Sequence, residues 1–121
     1  MIGFALAEQI HDSYALGNVN STYGVLVGGI AGEFRGNMSN SHARGNVIGA
    51  GGVGGLVGIM AFNGNGTISN SSAKGNVVCR DGKNIVGSAS DASDGALVGY
   101  LHDAVVKDSY ALGNVTSFNC K

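Results

Sequence analysis

The sequence predicts an all-β fold, a parallel β-solenoid of about four stacked coils, and three observations carry that prediction. The tripeptide Gly-Asn-Val recurs at 17–19, 45–47, 75–77 and 113–115. A glycine-rich apolar signature precedes each copy, reading GFAL at 3–6, GGIAG at 28–32, GGLVG at 54–58 and GALVG at 95–99. Composition completes the argument: 22 glycines, no proline, no tryptophan and 12% charged residues leave few of the Glu, Lys and Gln that favour helix. Val, Gly, Asn and Ser abound instead, the material of short strands and tight turns.

The 121 residues make a single domain, 1–121, with room for one modest core. Extended upstream without gaps, the anchors read IHDSYALGNV, MSNSHARGNV, ISNSSAKGNV and VKDSYALGNV. The shared pattern is apolar, any residue, Asp or Asn, Ser, variable, Ala, variable, Gly, Asn, Val. Full units cover about 3–19, 29–47, 55–77 and 95–115. Successive anchors are 28, 30 and 38 residues apart, so connectors absorb the difference, and the longest connector, 78–94, absorbs most of it. A unit this small cannot bury its own apolar face and must stack on its copies. Equivalent residues then lie about 4.8 Å apart as paired parallel strands, and each alignment column becomes a ladder along the axis.

Period-two alternation sends Ser13, Ala15, Gly17 and Val19 to one face and Asp12, Tyr14, Leu16 and Asn18 to the other. The first set is small and mostly apolar in all four units, as an interior requires. Its valines, Val19, Val47, Val77 and Val115, are core candidates. Ile30, Leu56, Leu97 and Phe4 face them from the opposite wall, with Ile10, Met38, Ile68 and Val106 alongside. Asn18, Asn46, Asn76 and Asn114 form a column whose amides satisfy backbone groups at a turn, and Asp12, Asn40, Asn70 and Asp108 occupy a bend. The variable outward columns are Tyr14, His42, Ser72, Tyr110 and Leu16, Arg44, Lys74, Leu112. Tyr14, Leu16, Tyr110 and Leu112 are therefore candidates for an interface on the outer coils.

GGLVG followed by I-x-N-S-x-A-x-G-N-V resembles the GLUG repeat, with one GLUG-like repeat per coil over about two thirds of the chain. The first unit departs, carrying Leu6 where the closing glycine belongs. GLUG repeats occur in large bacterial surface adhesins and in non-catalytic regions of some IgA-cleaving metallopeptidases. The resemblance implies a non-catalytic structural or interaction module of an extracellular or cell-surface protein, bacterial in origin.

The chemistry of other classes is thin. Seven basic and eight acidic residues, spread along the chain, provide no electrostatic footprint for nucleic acid. The apolar opening MIGFALA is short, lacks a basic leader and reads as structure, and no stretch approaches a membrane span. His11, His42 and His102 fall at different positions of their units, with no HExxH pattern and no fixed carboxylate. Asp81, Asp91 and Asp94 lie in the long connector and read as a solvated loop rather than a calcium site. The stretch GAGGVGGLVG has phosphate-loop spacing but neither helix nor acidic residue after it. The sequence thus points to no catalytic residue, cofactor or metal. Cys79 and Cys120 each follow a Gly-Asn-Val anchor closely enough to become neighbours in a stack. A disulfide and two idle thiols both fit that placement.

The expected partner is a protein or glycan surface. The alternative is a second copy of the chain joined head-to-tail into an extracellular filament, because open strand edges at both ends of a stack propagate without closing. A carbohydrate-active enzyme on a β-helix is the remaining class, and only the 78–94 connector has residues for it.

Overall fold

The computed structural model describes residues 2–5, 9–21, 26–60, 66–80, 94–101 and 104–118, and every regular element among them is a strand. The strands form five parallel sheets that share one axis. The first joins β1 (Ile2–Ala5), β6 (Ala31–Phe34), β11 (Val57–Met60) and β16 (Val98–Leu101). The second joins β2 (Gln9–His11), β7 (Asn37–Ser39), β12 (Gly66–Ser69) and β17 (Ala104–Lys107). The third holds β3 (Tyr14–Ala15), β8 (His42–Arg44), β13 (Ser72–Lys74) and β18 (Tyr110–Leu112). The fourth holds β4 (Val19–Asn20), β9 (Val47–Gly49), β14 (Val77–Arg80) and β19 (Val115–Phe118). A fifth sheet is three-stranded, from β5 (Val27–Gly28), β10 (Val53–Gly54) and β15 (Asp94–Gly95).

In every sheet each strand pairs with its counterpart one coil away, which makes the molecule a parallel β-solenoid of four coils. Register follows the sequence columns. Val19 pairs with Val47, Val47 with Val77 and Val77 with Val115. Ala15, Ala43, Ala73 and Ala111 stand in another row, and Ile10, Met38, Ile68 and Val106 in a third.

The corners explain the invariant letters. Asp12, Asn40, Asn70 and Asp108 adopt left-handed backbone with φ of 52, 46, 47 and 49°, a conformation that Asn and Asp tolerate best among residues with a side chain. Gly45, Gly75 and Gly113 have φ of 146, 147 and 138°. There an added Cβ would also come within 2.4, 2.1 and 2.1 Å of the carbonyl oxygen of the glycine one coil earlier. Only glycine satisfies both conditions.

The first unit is offset from the alignment of its letters. Ile2 pairs with Ala31 and Phe4 with Glu33, which sets Gly3 level with Gly32, Gly58 and Gly99. Gly3 is therefore the closing glycine of the first unit, and Phe4 does not belong to the row of Ile30, Leu56 and Leu97. The apparent departure at Leu6 disappears with this shift. The connector also narrows: Val78, Cys79 and Arg80 lie in β14 and Asp94 in β15, while Asp81 and Asp91 lie outside the described residues.

The interior has two clusters rather than one. The larger contains Ile10, Met38 and Ile68 on one wall and Ile30, Leu56, Phe34 and Met60 on the others, with Leu97 half-buried at its edge. The smaller contains Val19, Val27, Val47, Val53, Val77 and Cys79. Val115 departs from the expected core, being 43% exposed. Val115 lies on the last described strand of its sheet, and the fifth sheet that contacts that strand carries Asp94 at the position Val27 and Val53 hold in the earlier coils.

Candidate functional site

The positions that vary from coil to coil meet on the outward side of the third sheet. Tyr14, His42, Ser72 and Tyr110 form one row across it, and Arg44, Lys74 and Leu112 pair in the next, with Leu16 beside Ala15 at the same level of the first coil. Strand alternation places these side chains opposite Ala15, Ala43, Ala73 and Ala111, which pack inward. Tyr14, Leu16, Tyr110 and Leu112 are 67, 73, 51 and 57% exposed.

The strip is an aromatic and cationic surface. The Tyr14 and His42 rings lie 5.3 Å apart, and the Lys74 amine lies 5.9 Å from the centre of the Tyr110 ring, within reach of its negative face. The Tyr-Leu outer coils flank the basic inner ones. On the fourth sheet Arg80 repeats the arrangement over Phe118 of the next coil, at 5.6 Å.

Two polar ladders border the strip and run in opposite directions along the axis. The Asn18 Oδ1 accepts the Asn46 N–H at 2.8 Å, Asn46 Oδ1 accepts from Asn76 at 2.8 Å and Asn76 Oδ1 from Asn114 at 3.0 Å. Each asparagine thus serves the following coil. The serines serve the preceding one: Ser41, Ser71 and Ser109 Oγ accept the N–H of Ser13, Ser41 and Ser71 at 3.3, 3.1 and 3.2 Å. Each hydroxyl donates in turn to the carbonyl two residues before it. The buried N–H groups of this tight corner are satisfied in this way. Among the described residues nothing bonds the Nδ2 groups of the asparagine ladder, so four amide donors face outward, one per coil.

At the bend, Asn40 donates to the Asp12 carboxylate and His11 lies beside it. The Asn40 bond first and His11 second hold Asp12 below the ordinary aspartate value.

One constellation looks like nucleophile chemistry. His42 Nδ1 lies 2.7 Å from Ser72 Oγ, and His42 Nε2 lies 3.4 Å from Asn40 Oδ1. Ser72 is 2% exposed, however, so its hydroxyl offers no approach to a substrate carbonyl. The contact fixes the His42 ring against the next coil. Among the described residues, no three His, Cys, Asp or Glu side chains gather as a metal would need.

No family model matches the chain, and neither does a curated protein or a solved structure. The candidate residues are therefore placed by geometry alone. Tyr14, Leu16, Tyr110 and Leu112 share one side of the stack but sit on its two outermost coils, with His42, Arg44 and Lys74 between them. Cys79 is fully buried in the valine cluster and disulfide-bonded, whereas Cys120, His102 and Asn65 lie outside the described residues. Sequence reasoning missed the burial of Val27, Val53, Phe34 and Met60. An apolar residue recurs two positions after the closing glycine in each of the last three units, as Phe34, Met60 and Leu101, and that recurrence was the available signal.

Proposed function

We propose that the chain is a non-catalytic repeat module of an extracellular or cell-surface protein of the adhesin type, whose outward strip on the third sheet engages a glycan surface. The observation that carries this reading is the division of labour between columns. Every recurring position serves the stack, as core, corner or ladder, and the variation gathers where side chains face out.

Scale argues for a presented surface over a spacer. Each coil advances the stack by only about 4.8 Å for 28 to 38 residues of chain, little reach for its length. What the stack supplies is a stiff lateral face. Exposed tyrosine rings present apolar faces for a sugar ring, and the adjacent Nδ2 groups of Asn18, Asn46, Asn76 and Asn114 are donors for its hydroxyl and ring oxygens. A disulfide at Cys79 suits an oxidising compartment. No described helix is long and apolar enough to cross a membrane.

A glycan array probed with the labelled chain tests the reading. Binding to a defined subset of glycans is expected, with at least about a tenfold loss in the Tyr14→Ser, Tyr110→Ser double variant, corresponding to about 1.4 kcal/mol. Binding that the double variant leaves intact contradicts the assignment of the strip, and capture of proteins alone favours a protein surface as the partner.

A further inference from the structure

We infer that the fourth coil of one chain is a docking face for the first coil of a second copy, so that chains add head-to-tail and continue the solenoid. Three independent observations meet in this surface.

The first is where apolar surface lies open. Among the described residues, the exposed large hydrophobic side chains are confined to the first and fourth coils: Tyr14 and Leu16 on the first, and Leu101, Val105, Tyr110, Leu112, Val115 and Phe118 on the fourth.

The second is the state of the ladders at the two ends. On the fourth coil, Asn114 Oδ1 accepts no bond and the Ser109 N–H makes none among the described residues, although the corresponding groups of the middle coils are bonded. On the first coil, Ser13 Oγ accepts none and the Asn18 N–H makes none among the described residues. The two sets are complementary. A first coil laid on a fourth brings the Asn18 N–H to Asn114 Oδ1 and the Ser109 N–H to Ser13 Oγ, the same bonds already made three times inside the chain. Both coils carry DSYALGNV, so the contact sets Tyr110 level with Tyr14, Leu112 with Leu16 and Val115 with Val19.

The third is Gly17. An added Cβ at Gly17 would meet nothing within 4 Å, and its backbone is not left-handed. Nothing within a single chain requires glycine there. Its counterparts Gly45, Gly75 and Gly113 are required because the glycine carbonyl of the preceding coil lies against them. A preceding coil would impose the same requirement on Gly17, and the fourth coil of another copy supplies one.

One pair opposes the contact. Asp108 and Asp12 close the two ends of the Asp/Asn column, so docking brings two carboxylates to neighbouring positions where the interior has Asn40 and Asn70. Like charges directly opposite on paired strands are unfavourable.

Sedimentation velocity of the chain from low micromolar to millimolar concentration tests the inference. The wild type is expected to form a growing series of oligomers. Gly17→Ala is expected to remain monomeric throughout with an unchanged urea midpoint, since the added methyl is free in the monomer and collides only at the junction. Asp108→Asn is expected to assemble at severalfold lower concentration. Gly17→Ala chains added to wild type should shorten its assemblies, because their fourth coil still accepts a first coil. A wild type that stays monomeric overturns the inference, as does a dimer that does not grow or a Gly17→Ala chain that assembles normally. A monomeric result leaves the lateral glycan site standing.

Discussion

The same eight residues, DSYALGNV, occur in the first and fourth coils and end in valines of different fate: Val19 is 9% exposed and Val115 43%. Local sequence cannot cause that difference, because it is identical. What differs is what lies above. Val19 pairs with Val47 and shares an apolar cluster with Val27 of the fifth sheet, whereas Val115 pairs with Val77 and the fifth sheet beside it carries Asp94 in place of a valine. In a quasi-one-dimensional stack the worth of a residue is set by its neighbours along the axis. Equivalent substitutions in middle and end coils should therefore differ in a predictable order.

The largest contrast belongs to the corner glycines. Gly75→Ala forces a Cβ into left-handed backbone and against the Gly45 carbonyl oxygen. It should cost at least about 2 kcal/mol in urea unfolding or prevent folding. Gly17→Ala should stay within about 0.5 kcal/mol of wild type. Equal costs at the two positions would break the comparison.

Core truncation comes next. Val77→Ala removes two buried methyl groups and should destabilise by about 2 kcal/mol, counting transfer and cavity together. Val115→Ala should cost less than half as much, because solvent already reaches the side chain. Denaturation of both variants under dilute, monomeric conditions gives the ratio directly.

The serine ladder sharpens the comparison further. Ser71→Ala strands the Ser41 N–H in a buried corner and should cost about 1–2 kcal/mol. Ser13→Ala strands no described donor and should cost about 0.5 kcal/mol or less. Amide hydrogen exchange at Ser41 should accelerate in the first variant and remain slow in the second.

Acidification supplies the smallest effect. Because Asp12 titrates below its unfolded value, its contribution is complete above the ordinary aspartate range and is lost as pH falls through the folded value. A stability profile across that range should fall slightly for wild type and flatten in Asp12→Asn. A wild-type profile that rises on acidification would contradict the Asn40 contact.

The order and register of the coils were legible because the invariant letters are those that touch the neighbouring coil. Gly75 is fixed by its own φ and by the Gly45 carbonyl, and Asn46 by the Asn76 N–H it accepts, so repetition of the letters reports repetition of the contact. The first unit was misread because Gly3-Phe4 matches the opening of GGIAG by letter, while strand pairing makes Gly3 the closing glycine. The division of the core was hidden for a different reason. Val27 and Val53 meet the valine row across a corner, and alternation along one strand says nothing about the wall that faces it. The opposed directions of the serine and asparagine ladders were equally invisible, since period two reports the face of a side chain and not its lean along the axis. For the outward strip, the sequence revealed which columns vary but not that His42 reaches Ser72 or that Lys74 lies over Tyr110.

The central claim is that consecutive coils stack in register, and methyl-to-methyl nuclear Overhauser effects among labelled valines test it most directly. Cross-peaks linking Val19 to Val47, Val47 to Val77 and Val77 to Val115, with none between Val19 and Val77, are the expected result. Absence of these contacts, or contacts that skip a coil, would contradict the stack.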